Sequence, residues 1–137
     1  YWGNAQTKTT PQKPNQSGML AVDAKYTGAI KSASHLDFKD QEGTVKWYQE
    51  NDGEAANFSL TFIYASNDYN SQRPMDVYVN NSKIGQIIFT KTGGWNVWNE
   101  VNITAALFAG ANNIELRTTG KSGPKIRSLT VDYVEGK

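Results

Sequence analysis

The sequence predicts an all-β domain, an antiparallel β-sandwich of the jelly-roll kind. Three observations carry that prediction. Apolar residues recur at every second position through several short segments, the period of a half-buried strand. Turn-forming clusters such as Asn51-Asp52-Gly53 and Thr92-Gly93-Gly94 separate those segments at near-regular intervals, as in sandwiches and barrels. The composition agrees: 13 Asn, 12 Gly, 12 Thr and 9 Ser stand among 137 residues, and Ala, Leu, Glu and Lys do not dominate as they would in a helical bundle. A chain of this length makes about one domain and buries about two-thirds of its unfolded surface, so residues 1–137 are read as a single domain with a proper core.

The elements follow in order. Residues 7–18, TKTTPQKPNQSG, hold two of the four prolines and read as an irregular crossing. Leu20, Val22, Ala24 and Tyr26 then share one face, and TVKW at 44–47 alternates again. The clearest strand is NFSLTFIY at 57–64, with Phe58, Leu60, Phe62 and Tyr64 on one face and Asn57, Ser59 and Thr61 on the other. MDVYV at 75–79 repeats the pattern, and Asn80-Asn81 supplies a turn into residues 84–89. Val101 and Ile103 mark the next strand, Ile114 and Leu116 another, and Leu129, Val131 and Tyr133 the last. Residues 66–74 and 120–124 read as loops, and TAALFAG at 104–110 is the one segment where a helical turn is expected.

Several function classes are excluded at once. No run of 18 apolar residues exists, so no helix of this sequence spans a membrane. Fourteen basic residues against 13 acidic give a net charge of +1, with no basic run to serve as a nucleic-acid footprint. Cysteine is absent, which removes disulfides and thiolate metal sites but leaves the compartment open. The chain opens at Tyr1 with no Met and no leader, and is read as an excised domain or a mature product. Catalytic signals are poor. The one histidine, His35, has no partners spaced for a triad or a hydrolytic metal site. Asp37, Asp76, Glu100 and Glu115 are not spaced as a glycosidase pair.

Sixteen aromatic residues in a chain of mean hydropathy −0.60 need an explanation. Phe58, Phe62, Tyr64, Phe89 and Tyr133 fall on apolar faces and belong to the core. Trp95, Trp98, Tyr69 and Trp2 do not fit so easily. Trp95 follows a glycine pair at a loop tip. Trp95 and Trp98 are three apart, so on a regular strand they face opposite sides unless a bulge intervenes. An indole among Asn67, Asn70, Asn96 and Arg73 has the composition of a sugar site, where the ring stacks on a pyranose and the polar groups bond its hydroxyls. The alternative is that both indoles merely cover a sandwich end.

Five segments in register then resemble a known family: FSLTFIYASND at 58–68, Arg73-Pro74, VYVNN at 77–81, TGGWNVW at 92–98 and GANNIEL at 110–116. In this order they are similar to carbohydrate-binding modules of families 35 and 6. SHLDF at 34–38 and EGTVKW at 42–47 resemble the upstream part of the same pattern. The resemblance implies a non-catalytic jelly roll appended to a secreted glycoside hydrolase or polysaccharide lyase, bacterial in origin and monomeric. Its partners would be a glycan and the covalently attached catalytic domain, with no nucleic acid and no membrane. The ligand site would lie among loops at one end of the sandwich, drawing on the 67–73 loop (Asn67, Tyr69, Asn70, Arg73), on Trp95 with Trp98 as the other candidate indole, and on the loop before the last strand.

Three departures matter. His35 stands where the resemblance implies a Tyr-type stacking ring, and Lys125 stands where an amide is common. Either the site reads an anionic sugar, a uronate or a sulfate, through Arg73 and Lys125, or the contacts have moved and Lys125 points into solvent. The structural calcium common in the family would need carboxylates near the N-terminus and on the last strand. Trp2 and Asn4 stand at the first place and Arg127 at the second, with Asp132 close by. No cofactor is therefore required, and the calcium site is expected to be weakened or lost. Two rivals to a sugar-binding module remain from the residues: a structural spacer with a degenerate site, and a small jelly-roll lyase or hydrolase.

Overall fold

The computed structural model describes residues 18–67 and 73–134. Among them lie eleven strands: β1 (Met19–Leu20), β2 (Lys25–Thr27), β3 (Ile30–Lys31), β4 (Leu36–Asp37), β5 (Thr44–Asn51), β6 (Ala56–Ser66), β7 (Arg73–Val79), β8 (Ser82–Phe89), β9 (Gly94–Leu107), β10 (Gly110–Thr118) and β11 (Lys125–Tyr133). They form two antiparallel sheets. One runs β9-β6-β11-β4-β3, with β1 also paired to β11; the other runs β2-β5-β10-β7-β8. The all-β sandwich expected from the alternation is the observed architecture.

The alternating residues build the core between the sheets. Phe58, Leu60 and Phe62 from β6, Val45 from β5, Met75 and Val77 from β7, Ile114 and Leu116 from β10, and Leu129 and Val131 from β11 are all fully buried. The pleat decides this, because a period of two puts every apolar residue of such a strand on one face. Trp47 of one sheet meets Phe62 of the other with ring centroids 5.8 Å apart.

Two expectations are corrected. The alternation over residues 20–26 is not one strand. A 3-10 turn at Ala21–Asp23 interrupts it, so that β1 pairs with β11 in the first sheet and β2 with β5 in the second. The chain changes sheets there, with Ala21 fully buried at the crossing. The helical turn at 104–110 is likewise not formed. Residues 104–107 continue β9 against 56–59 of β6, with Ala105 and Leu107 inward and Thr104 and Ala106 outward. Asn112, which is buried, holds the reversal that follows. Its side-chain amide donates to the carbonyls of Phe108 (2.9 Å) and Gly110 (3.0 Å), and its oxygen accepts from the Phe108 N–H (2.9 Å). A side chain that satisfies so many backbone groups favours a turn over a helix.

Candidate functional site

The start of β9 is not regular. Gly94 lies opposite Ser66 and Asn99 opposite Tyr64, so residues 95–98 form a wide bulge against β6. A bulge bends a strand and re-aims its side chains. It removes the obstacle to Trp95 and Trp98 acting together. Thr92 secures the approach. Its N–H donates to the Ser66 carbonyl at 2.7 Å, and its hydroxyl lies 2.9 Å from that carbonyl and 3.0 Å from the Gly94 carbonyl. The hydroxyl also accepts from the Ser66 N–H at 3.2 Å. Gly93 sits at φ +103, a conformation that side-chain-bearing residues avoid.

Trp95 is half-buried, and three cations gather on it. The Arg73 guanidinium carbon lies 5.2 Å from the ring centroid, Lys39 Nζ 5.4 Å and Lys125 Nζ 5.9 Å. Arg73 is the first residue of β7 and is only 7% exposed. Its guanidinium donates to the Gly123 carbonyl at 3.2 Å and reaches the Ser122 hydroxyl at 3.4 Å, which ties β7 to the loop before β11. That loop packs closely on the residue that follows β4: a Cβ on Gly123 would stand 2.6 Å from the Phe38 Cβ, and the Phe38 N–H donates to the Pro124 carbonyl at 3.1 Å. Lys39 follows in a turn pinned by its own N–H donating to the Asp37 carboxylate at 2.8 Å. Lys125 opens β11 opposite Asp37.

Trp98, also half-buried, has its own neighbours. The His35 ring lies 5.4 Å from it at an interplanar angle of 59°, and the Arg127 guanidinium carbon lies 5.2 Å from its centroid. His35 Nδ1 sits 2.9 Å from the Ser34 hydroxyl and 3.1 Å from that of Ser32. Partial burial, then the positive charge of Lys125, hold the His35 pKa below its ordinary value; Asp37 pulls the other way, and Arg127 adds to the lowering.

The candidate residues thus divide. Trp95, Arg73 and Lys125 meet at one place, while His35 and Trp98 meet beside it. The Asn67 side-chain oxygen is buried and has no hydrogen-bond partner. Tyr69 and Asn70 lie outside the described residues, as do Trp2 and Asn4. Among the described residues no group of three or more His, Cys, Asp or Glu could hold a metal ion. Sequence reasoning missed Lys39, because nothing in its own strand pattern sets it apart. It also missed Arg127 as a ring neighbour, having weighed that position only for calcium.

On the outer face of the other sheet the charges engage one another. Arg117 stacks 3.6 Å from the Tyr78 centroid and bonds Glu115 at 3.0 Å. Asp76 accepts from Gln86 at 2.9 Å and pairs with Lys83 at 3.3 Å.

No family model matches the chain. A family 35 carbohydrate-binding module from Clostridium thermocellum superposes with a TM-score of 0.77 at 26% identity, over 85% of this chain and 96% of that one. A second, from Paenibacillus barcinonensis, gives 0.67 at 27% identity over 93% and 94%. The structure closely matches carbohydrate-binding modules of the family 35 and family 6 type. This likeness supports a non-catalytic, carbohydrate-binding role for the module. Over 121 residues it is also 46% identical to a putative beta-glucuronidase from Formosa agariphila, covering 85% of the module and 12% of that protein. Over 144 residues it is 27% identical to a cycloisomaltooligosaccharide glucanotransferase from Niallia circulans, covering 98% of the module and 14% of that protein. The module therefore spans only about an eighth of the relatives it matches in sequence.

His35 gives the module a pH signature of its own. Its depressed pKa means that the unfolded chain takes up a proton first as the pH falls. Stability tied to this group is fully present above about pH 6.5, the unfolded value, and is lost as the pH falls toward the lower folded value. His35→Gln is expected to flatten the fall of melting temperature between about pH 7.5 and pH 5. An equal fall in the variant and the parent would show that His35 does not contribute.

Proposed function

We propose that this module holds an attached glycan-active enzyme on its substrate by binding an acidic sugar against Trp95. The observation that carries this reading is one half-buried indole ringed by Arg73, Lys39 and Lys125 within 6 Å. An indole offers an apolar face to a pyranose ring. The guanidinium and ammonium groups offer charge-assisted hydrogen bonds, roughly twice as strong as neutral ones, to a carboxylate or sulfate. The relationship to a putative beta-glucuronidase favours a uronate as the acid. The parent protein is then a secreted bacterial enzyme, and the module acts by raising the effective concentration of catalytic domain near the glycan.

The test is calorimetric titration of the module with glucuronic acid or a glucuronate-ended oligosaccharide, and with the neutral glucose counterparts. Micromolar or weaker binding of the acidic ligands is expected, as befits a small wet site. The neutral ligands should bind at least about tenfold more weakly, a difference of about 1.4 kcal/mol, and the gap should narrow as salt is raised. Equal affinity for acidic and neutral sugars, or no binding of either, would overturn the proposal.

A further inference from the structure

The bulge in β9 has a counterpart in the neighbouring sheet position. In β11, Ile126 lies opposite Tyr64 and Ser128 opposite Ile63, so Arg127 is an extra residue in the ladder. Both irregularities abut residues 63–66 of β6, one on each side of that strand. A residue squeezed out of a ladder loses its alternating place and can be turned outward. Arg127 is exposed between buried Ile126 and Ser128, and the alternation breaks just after it, where Ser128 and Leu129 are both buried. Its guanidinium is held at the Trp98 ring.

The surface that results is continuous. Lys125 approaches Trp95, and both Lys125 and Arg127 act on His35, whose ring in turn approaches Trp98. Two indoles and four permanent cations (Lys39, Arg73, Lys125 and Arg127) thus lie side by side. Asp37 is the carboxylate that acts on His35 among them. An anionic ligand is attracted to such a gathering of positive groups. Lys125 and Arg127 are two residues apart along one strand, an offset of about 7 Å. That is on the scale of one sugar unit.

We propose that Trp98, Arg127 and His35 form a second subsite next to the one at Trp95, which takes the adjacent acidic residue of the same glycan. The ligand class is an oligosaccharide with an anionic group, carboxylate or sulfate ester, on two neighbouring units. This inference rests on the reading of the Trp95 site given above. Trp98 supplies the apolar face and Arg127 the charge-assisted donor. His35, neutral at pH 7, supplies a ring edge and a hydrogen bond.

The experiment titrates the parent module, Arg127→Ala and Trp98→Leu with three probes: glucuronic acid alone, an oligomer of uronic acid, and a disaccharide carrying one uronate and one sulfate ester. In the parent, at least one two-acid ligand should bind about tenfold more tightly than the monosaccharide. Arg127→Ala should remove most of that gain and reduce the salt dependence, while binding glucuronic acid within about twofold of the parent. The two-acid probe that responds identifies carboxylate or sulfate as the second group. Arg127 is exposed, so its variant decides the matter even if Trp98→Leu fails to fold. Monosaccharide binding with no gain on lengthening overturns the second subsite and leaves the Trp95 reading intact. So does a gain that Arg127→Ala leaves untouched. Loss of all acidic-sugar binding in the parent overturns both.

Discussion

Trp95→Ala is expected to weaken binding of an acidic saccharide at least about 30-fold, roughly 2 kcal/mol, with a smaller loss of thermal stability. Two losses add. The first is the apolar face on which the sugar ring lies. The second is the fixed geometry of the cations: an indole within 6 Å of Arg73, Lys39 and Lys125 attracts all three through its ring face. Such contacts contribute about 0.5–2 kcal/mol each, depending on desolvation. Without the ring, Lys39 and Lys125 return to solvent, and only Arg73 keeps its anchor on Gly123. The loss of stability should stay modest because Trp95 lies within the bulge, outside the regular ladder of β9 and β6, and Lys39 is exposed. Phe108→Ala is the matched control. That ring is 64% exposed and lies just past the far end of β9, so its loss should leave affinity unchanged. Affinity within twofold of the parent in Trp95→Ala would remove the stacking reading.

Much of the fold was legible because burial in a sandwich is a local property of alternation. Residues 57–64 show it best: every second residue is apolar, and each of those lies in the core. Alternation says nothing about which strand lies beside which. It failed at residues 20–26, where the side-chain pattern is continuous but the backbone changes sheet at Ala21–Asp23. It failed again at 104–110, where helix-favouring Ala and Leu misled and a single amide, Asn112, fixes the turn. Tertiary demand overrides propensity in such short segments.

The site was legible only in part, for a related reason. Trp95 stood out beside two glycines, and Arg73 stood out through its place in the family pattern. Whether Trp95 and Trp98 could serve one surface depended on a bulge, which pairing creates and no residue type announces. Lys39 lies 56 positions from Trp95 and reaches it through packing of the 119–124 loop on Phe38. Arg73 itself was expected in a loop; it opens β7 and is nearly buried, so its charge is held in place before any ligand arrives. Preorganisation of this kind lowers the ordering cost of binding.

Phe62→Ala should have the largest effect on stability, a loss of about 3–5 kcal/mol from a total of about 5–15 for a domain of this kind. Phe62 is fully buried in the middle of β6, with Val101 of β9 on one side and Leu129 of β11 on the other. Its ring also meets Trp47 of the opposite sheet, which is itself fixed by an indole N–H donated to the Met19 carbonyl at 3.1 Å. Truncation leaves a cavity bounded by three strands and an anchored indole, none of which can collapse into it cheaply. The denaturant midpoint should fall with an unchanged slope, the sign of lost stability rather than an altered unfolded state. Below the unfolding transition, affinity for an acidic saccharide should stay within about twofold of the parent, because the bulges that form the site abut residues 63–66 and not the centre of β6. A loss below about 1 kcal/mol would mean that Trp47 and Leu129 close the gap, and that the two sheets are less firmly keyed at this point than the packing implies.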